Sequence, residues 1–175
     1  MSSLQKFHRR TNNASAPAGK LIGSGSATTG YYLGFAGDAT SYMYVAPKST
    51  EVQKQWGSYG TTRSTVSTTN GLANTNTLVS FGTAAHPAAG HCKYLSTGGY
   101  NTWYLPAKNE LNTLYSNKSA TPFATADSFV GSSYWSSTEG DGYNAWFQVL
   151  SSGLQSYDYG KHNSAYVRAV RRSLI

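Results

Sequence analysis

Two imidazoles and a thiol lie close together in the stretch HPAAGHC, as His86, His91 and Cys92. Such a set could ligate zinc, but it matches no standard zinc spacing and no fourth ligand is evident beside it. A Cys–His nucleophile pair is the other chemistry open to these types, against which Cys92 reads as a small buried residue. The carboxylates Asp38, Glu51, Glu110, Asp127, Glu139, Asp141 and Asp158 are scattered along the chain. Nothing in their spacing points to the paired carboxylates of sugar hydrolysis. The run GSGSATTG at Gly23–Gly30 is rich in glycine yet lacks the Lys-Ser/Thr ending of a phosphate loop, so it reads as a flexible turn.

The elements that would position any site follow from composition. A chain of 175 residues suits one domain with an appended arm. Low charge (12%), 18 Gly and 14 Tyr indicate a loop-rich fold with many turns, not a helical bundle. Cys92 is the sole cysteine, which excludes an intrachain disulfide. The start MSSLQKFHRR lacks the apolar stretch of a secretory signal, and no apolar run reaches membrane-spanning length. The expectation is synthesis in a bacterial cytoplasm and no membrane insertion, with any role outside the cell reached through lysis or assembly into a particle. Lys6, Arg9, Arg10 and Lys20 carry four charges in the first twenty residues with no acid, so the net +7 falls to +3 beyond them. With no nucleic-acid motif present, a nucleic-acid partner is not expected.

Residues 1–20 read as a basic arm, either a disordered tail or a segment that orders against a partner or sister subunit. Residues 21–175 form the domain. YYLGF and YMYVA read as strands, a candidate hairpin, and STEVQKQWG as a short helix ending at Gly57. Residues 58–102 suggest one short helix near Asn70–Ser80 amid long irregular loops. LPAKNELNTLYSNK is the clearest helix, with Pro106 in its first turn and Leu111, Leu114 and Tyr115 on one buried face. AWFQVLSSGLQSYDY reads as strand, two-residue turn at Ser152–Gly153, and strand. That register sets Trp146, Gln148, Leu150, Gln155, Tyr157 and Tyr159 on one face and Phe147, Val149, Ser151, Leu154, Ser156 and Asp158 on the other. Trp146 points inward in this reading and the Phe147 face forms a contact surface, although hydrophobicity alone favours Phe147, Val149 and Leu154 as ordinary core residues. Tyr157 and Tyr159 conflict with it, because they sit on the Trp146 face.

WYLPAKNELNTLY, YWSSTE, NAWFQ, Gly153, Lys161 and YVRAVRR together resemble the C-type-lectin-like, formylglycine-generating-enzyme-type variable proteins of diversity-generating retroelements. The likeness is strong over residues 103–172, weaker over YVAPKSTEVQKQWG, and does not reach the first twenty residues. It implies an α+β, C-type lectin-like fold with short twisted strands, one or two helices and long irregular loops. It also implies a non-enzymatic receptor-binding protein without cofactor or metal, displayed on a phage tail or other exposed virion surface. Host cell-surface protein or glycan would be its ligand, virion proteins would meet the N-terminal arm, and a homotrimer would be reasonable.

In that family, copying errors at adenines turn AAC codons into many others, so a varied position cannot hold Lys, Glu, Gln, Trp or Met. Within a variable region of about 135–172, Gly140, Asp141, Gly142, Tyr143, Phe147, Val149, Ser151, Ser152, Leu154, Ser156, Tyr157, Asp158, Tyr159, Gly160, His162 and Ala165 satisfy the rule. All of these but Gly160 and Ala165 make up the expected ligand surface. Glu139, Trp146, Gln148, Gln155 and Lys161 break the rule and read as framework. Two rival readings stand beside this one: an enzyme of the formylglycine-generating or carbohydrate-active type, marked by a metal or deep polar pocket near His86, His91 and Cys92, and a fixed structural virion decoration protein.

Overall fold

A computed structural model describes residues 21–36 and 39–174, so the arm expected at 1–20 lies outside the described residues. The described chain is α+β, as expected. Strands β1 (Gly25–Ser26), β2 (Gly30–Phe35) and β3 (Ser41–Val45) come first, followed by β4 (Val52–Gln55), α1 (Gly71–Ser80), α2 (Pro87–Lys93), α3 (Lys108–Asn117) and α4 (Phe123–Ala126). The chain then runs through β5 (Ser133–Glu139), β6 (Asn144–Val149), β7 (Gln155–Gly160), β8 (Ser164–Val167) and β9 (Val170–Leu174). One sheet has the order β1-β2-β3-β9 and the other β4-β8-β5-β6-β7.

The expected strands YYLGF and YMYVA pair antiparallel, Tyr31 opposite Val45 and Tyr32 opposite Tyr44. GSGSATTG is an ordered turn in which Ser26 Oγ receives the N–H groups of Thr28 and Thr29. The helix expected in STEVQKQWG is instead a single 3-10 turn followed by β4. The reason is tertiary: Val52–Gln55 pairs residue for residue with Val167–Ser164, and Glu51 is drawn to Arg168. α1 starts where expected, its cap Asn70 accepting the Ala73 N–H at 3.0 Å. α2 falls in a stretch expected to be irregular, although Pro87 at its first turn followed by two alanines is a start signal. In α3, Pro106 precedes the helix instead of opening it, and Glu110 Oε2 reaches back to the Ala107 N–H at 2.8 Å.

Three apolar clusters fill the interior of the described chain, one around Trp56, Trp103 and Trp135, a second around Tyr104, Leu111, Leu114, Phe123 and Tyr134, and a third of Tyr32, Tyr42 and Tyr44. The joint between the sheets is polar. Arg168 lies between β8 and β9, where the chain passes from one sheet to the other, and its guanidinium is buried. Nε donates to Ala46 O (2.7 Å), Nη1 to Glu51 Oε2 (3.1 Å) and Nη2 to Asp127 Oδ2 (2.6 Å). Asp127 also takes the Lys48 N–H on both oxygens, and Tyr134 Oη donates to Glu51. Removing one partner of such a group strands a desolvated charge, the costly way to break it. Arg168→Met, which leaves two carboxylates uncompensated, is expected to cost about 3–5 kcal/mol. Thermal denaturation should show it as a fall in Tm of roughly 10 °C.

Candidate functional site

A buried ion pair holds the loops at one end of the second sheet. Lys161 is fully buried, and its Nζ donates to Glu139 Oε1 at 2.5 Å, Thr61 O at 2.9 Å and Gly142 O at 3.2 Å. Burial pulls the Lys161 pKa down, while the bond to Glu139 opposes that shift. Glu139 also receives the Arg63 N–H on both oxygens (2.8 and 2.9 Å) and the Ser64 N–H at 2.7 Å. Ser64 has φ 58°, and its left-handed backbone lies where two successive N–H groups converge on one anion. Three segments, 61–64, 139–142 and the turn at 161, are thereby fixed to one another.

The hairpin differs from its expected register. Gln148 pairs with Gln155 and Phe147 with Ser156, two residues away from the expected partner Asp158. The turn is the four-residue loop 150–153, closed by Gly153 N–H to Val149 O at 2.7 Å. Gly153 has φ +85°, and a Cβ there would stand 2.5 Å from the Tyr115 ring. Further along, Ala145 pairs with Tyr159, so Tyr157 and Asp158 together oppose Trp146 in a β-bulge. The bulge turns Tyr159 onto the Phe147 face, where it packs on Trp135 (5.1 Å) and Phe147 (5.5 Å), while Tyr157 stays beside Trp146 (5.0 Å).

The two faces also exchange roles. Phe147 is buried and meets Trp135 edge-on, so its expected place on a contact surface is corrected to the core. Trp146, expected inside, is half-buried under the Lys108 ammonium, 3.3 Å from its ring centroid. The physical reason is that α3 covers the Trp146 side with a polar surface. Gln148 Nε2 donates to Asn112 Oδ1 (2.9 Å), and Gln155 Nε2 donates to Lys108 O (2.9 Å). All five residues read as framework are thus bonded or packed. Ala165, allowed by the codon rule, is likewise buried.

The remaining expected site residues fall into separate places. Gly140, Asp141, Tyr143 and His162 are exposed and Gly142 half-buried at the loop end. Ser151, Ser152 and Leu154 are exposed at the hairpin tip, about 17 Å away by the rise of β6. Tyr157 and Asp158 are exposed between them on the outer strand, whereas Val149, Ser156 and Tyr159 are half-buried. Asp141 spends its carboxylate on its own turn, accepting the Tyr143 and Asn144 N–H groups at 2.7 Å each. Those bonds, the Tyr143 N–H first, hold its carboxyl below the usual range. Two positions are coupled: a Cβ on Gly140 would stand 2.7 Å from the Tyr157 ring and 2.8 Å from its Cβ.

His86, His91 and Cys92 do not converge. His86 is buried and its Nε2 accepts from Arg63 Nε at 3.0 Å; His91 Nε2 lies 2.8 Å from Thr50 O; Cys92 is buried in the tryptophan cluster. Burial pushes the Cys92 thiol well above its ordinary pKa, the opposite of an activated nucleophile. Among the described residues no group of three His, Cys, Asp or Glu side chains is placed to hold a metal ion, and no helix is long and apolar enough to cross a membrane.

Residues 52–171 match the model of a family described as the Lcl C-terminal domain. No curated protein matches the chain. Among solved structures, a fimbrial protein from Bacteroides ovatus ATCC 8483 aligns with a TM-score of 0.52 at 17% identity, over 74% of this chain. The aligned part is 35% of the fimbrial protein, and the likeness is one of fold.

His86 gives this end of the molecule an acid limit. Burial first, then the charges of Arg63 and Lys161, lower its pKa from 6.5 to about 4. Between those values the unfolded chain binds the proton that the folded chain refuses, so stability rises with pH across the window. The His86 contribution is complete above pH 6.5 and is lost as the pH falls toward 4. Tm measured from pH 7 to 4 should fall accordingly, and His86→Gln, which keeps an acceptor for Arg63, should flatten that part of the profile.

Proposed function

The chain belongs to the Lcl C-terminal domain family, and from that premise we propose a non-enzymatic receptor-binding protein whose ligand site is a surface open to sequence change. The observation that supports this reading is the way burial divides the segment. Residues that adenine-directed change cannot produce are tied into the framework: Glu139, Gln148 and Lys161 are buried, and Trp146 and Gln155 are held on α3. Gly140, Asp141, Tyr143, Ser151, Ser152, Leu154, Tyr157, Asp158 and His162, which it can produce, are exposed. Substitution at such exposed positions usually alters stability by no more than about 0.5 kcal/mol.

The resemblance to retroelement variable proteins extends the proposal. The site is diversified by template copying, the protein is carried on a phage particle, and a host cell-surface protein or glycan is the receptor. The N-terminal arm joins it to other virion proteins, and three chains associate.

The double variant Tyr143→Ala/Tyr157→Ala is expected to abolish adsorption to receptor-bearing cells while Tm shifts by less than about 3 °C. Phe147→Ala should instead cost about 3–5 kcal/mol as a core truncation. Adsorption unchanged in the double variant would refute the assignment of the site. The DNA around the coding sequence offers an independent check, since a near-copy carrying AAC at the exposed positions beside a reverse transcriptase is expected.

A further inference from the structure

We infer that Tyr59, outside the segment read as varied, is a constant contact residue of the same site and that the site fits a protein surface; the inference rests on the ligand-binding reading above. Tyr59 and Tyr143 are each 54% exposed, and their rings meet edge to face with centroids 5.0 Å apart. The imidazole of His162 packs edge-on against Tyr59 at 4.5 Å. Tyr59 thus stands between two exposed rings that hold it in place from either side while burying little core. The backbone beneath them is clamped as well. Trp56 and Gly57 donate their N–H groups to Lys161 O at 3.0 and 3.2 Å, and Lys161 Nζ returns to Thr61 O at 2.9 Å. Tyr59 therefore rides on the ion pair that also fixes the turns of Gly142 and His162.

A rigid, exposed, amphipathic ring has the properties of an interface anchor, because it offers contact area with little side-chain entropy to lose. The class of ligand follows from what accompanies it. Leu154, 59% exposed, sits about 17 Å from the aromatic group, with Tyr157 between them on the outer strand. A partner that gains from both ends must span that distance and present apolar side chains beside hydrogen-bonding groups, as protein contact patches do. Lys161 at this end is buried on Glu139, and Arg63 gives its Nε–H to His86 with its guanidinium 4.3 Å from the Phe81 ring centroid, so the exposed surface here is dominated by the aromatic rings.

The test pans a displayed library of random short peptides on the full chain. Recovered peptides are then measured against Tyr59→Ala, Tyr143→Ala and Tyr94→Ala, the last a 72% exposed tyrosine on another part of the molecule. The expected result is a loss of about tenfold or more for the first two, with no change for Tyr94→Ala and unchanged melting curves for all three. A bound peptide should also protect 58–62 from hydrogen exchange in the unaltered chain, which reads the Tyr59 contact without a substitution. Binding that depends on Tyr143 but not Tyr59, with no such protection, overturns this inference and leaves the ligand-binding reading standing. Peptides indifferent to both tyrosines overturn both. Failure to recover any peptide, whether or not a saccharide array is bound through Tyr59, overturns the assignment to a protein surface.

Discussion

The second sheet's loop end depends on one buried pair, Lys161 with Glu139. An ammonium and a carboxylate out of water are stable only when their remaining bonds are filled, and here the chain itself fills them. Thr61 O and Gly142 O complete the ammonium, and the Arg63 and Ser64 N–H groups complete the carboxylate. Three segments at this loop end are ordered by this arrangement. It lets the side chains above them change without loosening the backbone, since none of the bonds comes from an exposed side chain.

The same separation holds along the hairpin, by a different device. α3 gives the Trp146 side a polar partner, so Gln148 and Gln155 act there as fitted amides, while the tryptophan cluster takes Phe147 on the opposite side. The outer strand β7 is left with one covered side and an open edge. Its bulge at Tyr157–Asp158 interrupts the regular edge and twists it, a common protection against unwanted strand pairing. The bulge also explains how Tyr157 and Tyr159, two residues apart, take opposite sides of the sheet.

Much of the framework was legible in the sequence because it is carried by local signals. The strands YYLGF and YMYVA, the Asn70 cap and the buried face of α3 through Leu111 and Leu114 follow from pattern and propensity. The residues excluded by the codon rule are all bonded or packed, although the allowed Phe147 and Ala165 are buried too. What escaped depends on contacts distant in sequence. β4 is a strand because β8 lies beside it, more than a hundred residues later. Phe147 is core because Trp135 and Tyr159 close around it, the place that hydrophobicity alone favours for it, whereas the reading of its face as a contact surface followed from the mixed Ser and Asp beside it. The place of Tyr59 beside Tyr143 and His162 was equally hidden, since only the folded turns bring position 59 to the segment 140–162.

The close approach of Gly140 to Tyr157 bears on how many distinct surfaces this scaffold can show. With no Cβ at position 140, a full ring sits against the backbone there from position 157; with one, that ring must move or shrink. The two columns therefore do not multiply freely. If the surface is diversified as proposed, the number of surfaces it can show is smaller than the product of its alphabets, because a side chain at 140 and a large ring at 157 exclude each other.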